Sequence, residues 1–110
     1  MTEPLTQDGL GPYAIGQLHW PGISKLIEEA GEVLQVCGKL MGTGGKVQHW
    51  DGTNLKERLE EELGDLVAAA RFVGENCGLD NHRIVEQARR KYDLFSEWHE
   101  AALGAAGGGR

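Results

Sequence analysis

Apolar residues fall into three stripes of helical period, separated by short polar and glycine-bearing breaks. The first stripe is Leu26, Ile27, Ala30, Val33, Leu34, Cys37, Leu40 and Met41, spaced three and four apart like one face of an α-helix. Pro21 and Gly22 open it, with proline acceptable in a first helical turn, and Gly42, Gly44 and Gly45 end it. The second is Leu55, Leu59, Leu63, Leu66, Val67, Ala70 and Val73, with Thr53 expected as its N-cap and Asn76-Cys77-Gly78 as its stop. The third is Ile84, Val85, Ala88, Tyr92, Phe95, Trp98 and Ala102, capped by Asp80 or Asn81. Nothing alternates with a period of two, so the class expected is all-α. Helices of about 20 residues would each be roughly 30 Å long. Three such stripes in a short chain rarely bury themselves. The expectation is therefore a bundle of three long helices, completed to a four-helix-type core by homo-oligomerisation.

The flanks read differently. Residues 1–20 show no sustained period and are expected to form an irregular arm, with one helical turn around Ala14–Leu18. The helical domain then spans 21–103, and the small, low-complexity tail 104–110 is expected to be disordered.

Composition narrows the function classes. At 110 residues the chain is one small domain, and its 17 glycines would suggest loops or disorder if 40% of the residues were not hydrophobic. The formal net charge of −6 argues against a duplex nucleic-acid binder, because an acidic surface repels phosphate backbones. No apolar run is long enough to span a membrane. The first ten residues, MTEPLTQDGL, lack the basic and apolar regions of a secretory signal. Cys37 and Cys77 sit in no metal-binding or redox spacing and read as reduced thiols of a cytoplasmic protein.

Two acidic clusters carry the candidate chemistry: Glu28-Glu29-Ala30-Gly31-Glu32 in the first helix, and Glu60-Glu61-Glu62-Leu63-Gly64-Asp65 in the second. Residues three apart share a helix face, so Glu29 with Glu32, and Glu62 with Asp65, each present two carboxylates together. On a helical wheel Glu29 lies about 100° and Glu62 about 70° from the centres of their stripes, at the shoulders where helices meet. Asp65 and Glu32 then open towards a groove beside that contact. Like charges at a dry shoulder are costly unless a cation compensates them. Four carboxylates from two facing helices make an all-oxygen site suited to Mg²⁺. Gly31 and Gly64, inside the clusters, would allow something to approach closely. A single such cluster is ordinarily a solvated helix face; the pair, both mid-helix and both near a stripe edge, is the stronger signal.

EEAGE followed about 30 residues later by EELGD resembles the EExxE…EExxD signature of the MazG-like, all-α NTP pyrophosphohydrolases, relatives of the dimeric dUTPases and the phosphoribosyl-ATP pyrophosphatases. The likeness covers residues from about 22 to 95, and EELGD with its following apolar helix is the more specific half. It implies a helical bundle forming homodimers or homotetramers that binds Mg²⁺ or Mn²⁺ and cleaves a nucleoside triphosphate to the monophosphate and pyrophosphate. Carried over by position, Glu29, Glu32, Glu62 and Asp65 would be metal ligands. Glu28 would be the base for the attacking water, with Glu61 as a supporting carboxylate, although the wheel turns Glu28 away from the stripe. The short, single-domain chain resembles the compact, phage-type MazZ branch, which acts on dGTP or GTP. A pyrimidine-selective relative of the dUTPase or dCTPase type is the enzymatic alternative, and a non-catalytic helical oligomerisation module the other.

Substrate contacts have two readings each. Lys91, about 60° from the centre of the third stripe, can reach triphosphate oxygens or snorkel at the surface. The family pattern here resembles N-x-K-F, whereas this chain has Arg89-Arg90-Lys91-Tyr92. Trp20 and His19, before the first long helix, can stack on a base or pack in a core or interface, and His49 and Trp50 in the central loop share that choice. Neither a Walker A loop nor an ExxH pair is present, which excludes P-loop chemistry and argues against the di-iron carboxylate bundles.

Overall fold

A computed structural model describes residues 11–108. Three α-helices dominate them: α1 (Ile23–Gly42), α2 (Leu55–Asn76) and α3 (Asn81–Gly108), preceded by one 3₁₀ turn at Gly11–Tyr13. Among the described residues there is no strand, only an isolated bridge between Gln48 and Asn54, so the class is all-α. The chain divides into two compact units. One ends at Leu79 and holds α1 and α2; the other begins at Asp80 and is built on α3.

In the first unit α1 and α2 form an antiparallel hairpin. The Cys77 thiol donates to the Pro21 carbonyl at 3.3 Å, which sets the end of α2 beside the start of α1. The buried and half-buried positions of α2 include Leu55, Leu59, Glu62, Leu66, Ala69 and Val73, alternating four and three apart as in a helix-pair seam. Facing them, Gly22, Leu26, Glu29, Val33, Val36 and Leu40 follow the same rhythm. Two glutamates therefore occupy positions that apolar residues hold elsewhere along the seam. The wheel had put them at the shoulders. The apolar stripe of α1 is broader than one contact, and α2 meets only one edge of it. Its other edge (Ile27, Leu34 and Met41, seven apart) is exposed, Met41 at 83%.

The helix ends show which local signals won. Gly22 precedes α1 in a left-handed conformation (φ 93°) that an L side chain rarely adopts, and its N–H donates to the Tyr13 carbonyl at 3.2 Å. At α2 the cap is Asn54 rather than Thr53: the Asn54 side chain accepts the Glu57 N–H at 3.0 Å. Thr53 is engaged instead with Asp51, whose carboxylate accepts the Thr53 N–H at 3.0 Å. Hydrogen bonds from the Thr53 hydroxyl, the Thr53 N–H and His49 hold the Asp51 carboxyl far below its ordinary range. In the second unit Asp80 caps α3 by accepting the Arg83 N–H at 3.1 Å.

α3 runs 28 residues, to Gly108, so the segment expected to be disordered from Gly104 is helical as far as it is described. Its alanines (Ala101, Ala102, Ala105, Ala106) have the highest helix propensity of any residue and flank Gly104 on both sides. Residues 1–10 of the arm and residues 109–110 of the tail lie outside the described residues. The arm's described part carries its turn at Gly11–Tyr13, earlier than expected. No residue of α3 whose burial is described is buried, and Ile84, Val85, Tyr92, Phe95, Trp98 and Leu103 are exposed.

Candidate metal centre in the helical hairpin

The acidic clusters meet across the hairpin. Glu28, Glu29 and Glu32 each offer a carboxylate oxygen, and these atoms lie within 4.8 Å of one another. From α2, Glu62 enters the seam with only 5% of its surface exposed. One of its oxygens lies 3.7 Å from the Arg58 Nε, and the other, Oε2, is buried without a hydrogen-bond partner. The Glu29 Oε2 is buried and unpartnered as well. Burying a carboxylate costs several kcal/mol in general unless a proton, a hydrogen bond or a cation compensates it. Two such oxygens in one seam mark an arrangement not stabilised by the chain alone.

The electrostatics place the four expected ligands in mutual range. A hydrogen bond with Glu32 across the hairpin is the main reason the Glu62 carboxyl is pushed up to about 7, and burial and the charges of Glu32 and Asp65 add to it against Arg58. Glu29 is also raised, first by burial, then by the charges of Glu32, Asp65 and Glu28, against Lys25. Glu29 and Glu62 thus each feel the charges of Glu32 and Asp65, and Glu29 and Glu32 with Glu28 bring carboxylate oxygens within 4.8 Å of one another. An all-carboxylate donor set with unpartnered buried oxygens fits a hard divalent cation.

Glu28 joins Glu29 and Glu32, although the wheel turned it outward. It is exposed, with both oxygens 3.4 Å from the Lys25 Nζ. It sits on the water side of the cluster, where Glu29 and Glu62 do not. Gly31 and Gly64 grant no close approach within the chain: a Cβ built at either meets nothing within 4 Å, because both lie off the seam.

A pocket of about 400 Å³ adjoins the cluster, lined by Lys25 and Glu29 of α1, Asp65, Ala68, Ala69 and Phe72 of α2, and Ile15. Sequence reasoning passed over Phe72 and Lys25. Their signals were present, Phe72 beside the seam position Val73 and Lys25 three residues before Glu28. Trp20 and His19 instead line a separate hollow with Pro21, Asn76 and Cys77. Trp20 has the one positive φ (50°) found on a non-glycine among the described residues. His19 packs edge-on to Tyr13, with ring centroids 5.2 Å apart. Lys91 is exposed on α3, in the other unit. In the central loop, His49 Nδ1 lies 2.9 Å from Asp51 Oδ1 and Trp50 is exposed.

Comparison with known proteins finds no matching family model, no similar curated protein and no similar solved structure.

Proposed function

We propose that this chain is a divalent-metal-dependent nucleoside triphosphate diphosphohydrolase, releasing pyrophosphate and a nucleoside monophosphate. The observation that carries the reading is the buried Glu62 carboxylate, whose Oε2 has no hydrogen-bond partner, set within the charges of Glu32 and Asp65 and in one seam with the equally unpartnered Glu29 Oε2. The spacing of EEAGE and EELGD, and their resemblance to the MazG-like pyrophosphohydrolases, supports it. Glu29, Glu32, Glu62 and Asp65 would hold Mg²⁺ or Mn²⁺. That ion would neutralise phosphate oxygens and lower the pKa of a bound water. Glu28, exposed and next to the cluster, accepts the proton of the attacking water. Lys25, 3.4 Å from Glu28, is free to turn towards an anionic substrate. Lys91 is a further contact to the triphosphate only if α3 or a second copy brings it there. Likeness to the compact phage-type branch makes dGTP or GTP the favoured substrate.

The exposed apolar edge of α1 and the stripe of α3 support a homo-oligomer, dimeric or tetrameric, that completes the helical core. The same observation favours the second reading, a helical module whose purpose is assembly. No described helix is long and apolar enough to cross a membrane. Pyrophosphate release from a panel of NTPs and dNTPs with Mg²⁺ separates the two. The enzyme reading expects turnover that Glu62→Gln abolishes while the helices persist. Full turnover in Glu62→Gln removes the ligand assignment, and no turnover with any nucleotide leaves the module.

A further inference from the structure

The pocket beside the carboxylates has two chemically different ends, and the proposed function uses only one of them. Along the antiparallel hairpin Glu29 and Asp65 lie towards one end; Ala68, Ala69 and the Phe72 ring, which meets Gly22, form an apolar shelf towards the other, with Lys25 between them. The pocket measures about 400 Å³, within the size range of small-molecule sites. Phe72 is half-buried, and its ring is held against the backbone of Gly22: a Cβ built there would stand 2.6 Å from the ring's Cδ1 and 3.0 Å from its Cε1. The glycine lets the Cδ1–Cε1 edge of the ring pack closely against the start of α1. An aromatic ring and two alanine methyl groups offer little to a phosphate or a metal ion. They suit the flat, apolar face of a heterocycle.

We propose that this shelf takes the nucleobase of the substrate, with Phe72 as the stacking surface and Lys25 at the junction between nucleoside and phosphates. The proposal rests on the nucleotide-hydrolase reading and moves base recognition from Trp20 and His19, which line a different hollow, to Phe72. Lys25 contacts both regions: its side chain lines the pocket and its Nζ lies 3.4 Å from Glu28. In this position it can leave Glu28 for a phosphate oxygen as a mobile point charge.

Binding of a nucleoside triphosphate and of inorganic tripolyphosphate, each with Mg²⁺, tests the shelf by titration calorimetry on wild type and Phe72→Leu, with circular dichroism confirming that the variant is folded. Wild type is expected to bind the nucleotide more tightly than tripolyphosphate. Phe72→Leu is expected to weaken the nucleotide about tenfold, leave tripolyphosphate unchanged and raise KM for pyrophosphate release without a matching fall in kcat. Tripolyphosphate binding as tightly as the nucleotide in wild type overturns the proposal, as does a Phe72→Leu variant that keeps the gap between the two ligands or weakens both equally. In those cases wild-type pyrophosphate release still stands and only the shelf is lost. A wild type that neither binds nor cleaves any nucleotide overturns the shelf together with the hydrolase reading.

Discussion

Replacing Gly22 by alanine tests the packing that holds the hairpin and its pocket together. Gly22 sits at φ 93°, ψ −6°, and a left-handed conformation costs an L residue roughly 1–2 kcal/mol. The new methyl group would also lie 2.6 Å from Phe72 Cδ1 and 3.3 Å from Val73 Cγ2, closer to the ring than a Cβ contact can be. Val73 is buried and Phe72 half-buried, so both neighbours lie where room to shift is small. Overpacking of this kind costs about 1–3 kcal/mol. Together the two effects should destabilise the protein by roughly 2–5 kcal/mol. For a domain of this size, that lowers Tm by on the order of 10 °C or more. Urea titration followed by far-UV circular dichroism, wild type against Gly22→Ala, measures it directly. Gly64→Ala is the control: its Cβ meets nothing within 4 Å in mid-helix, so it should be neutral or stabilising by up to about 1 kcal/mol. A loss below about 0.5 kcal/mol in Gly22→Ala would refute both the backbone and the packing argument.

Two further outcomes follow from the same geometry. Glu62 is raised from 4.5 to about 7, so without metal its stabilising contribution is complete below about 4.5 and disappears as pH rises through about 7, and Glu29, also raised, works in the same direction. Asp51 is lowered from 3.8 and works in the opposite sense, but only at more acid pH. The urea midpoint of metal-free protein should therefore fall between those two pH values, and a midpoint that rises there contradicts the assignment. Asn54→Ala removes the side-chain cap of α2 and should cost about 1 kcal/mol, read as a lower Tm; an unchanged Tm would return the cap to Thr53.

The helices themselves could be read in advance because their apolar periodicity and their glycine stops are local. The orientation of α1 could not. Leu26 and Val33 meet α2, whereas Ile27 and Leu34 do not, yet all four belong to one stripe, and only the partner helix decides which edge is used. The same ambiguity displaced Glu29 and Glu62 from the seam to its shoulders. Counting the strict four-three rhythm from Leu55 would have put Glu62 inside it, between Leu59 and Leu66. At α2's start, Thr53 and Asn54 are both good caps, and the choice turned on Asp51 claiming Thr53. Trp20 and His19 were singled out as aromatics near the motif in sequence. The hairpin aligns Phe72, from the far end of α2, with the start of α1 instead, a pairing that only the chain reversal creates. Alanine content, available in the sequence, was enough to carry α3 past Gly104.

The central claim is that the hairpin carboxylates form a cation site, and thermal unfolding with and without Mg²⁺ or Mn²⁺, at a pH above about 7, addresses it without assuming a substrate. An ion that binds only the folded chain stabilises it by about 2.7 kcal/mol at a hundred times its Kd. Wild-type Tm is expected to rise with the logarithm of metal concentration, and Glu62→Gln to show no such rise. A wild-type Tm indifferent to both ions, or an equal response in Glu62→Gln, would contradict the cation site.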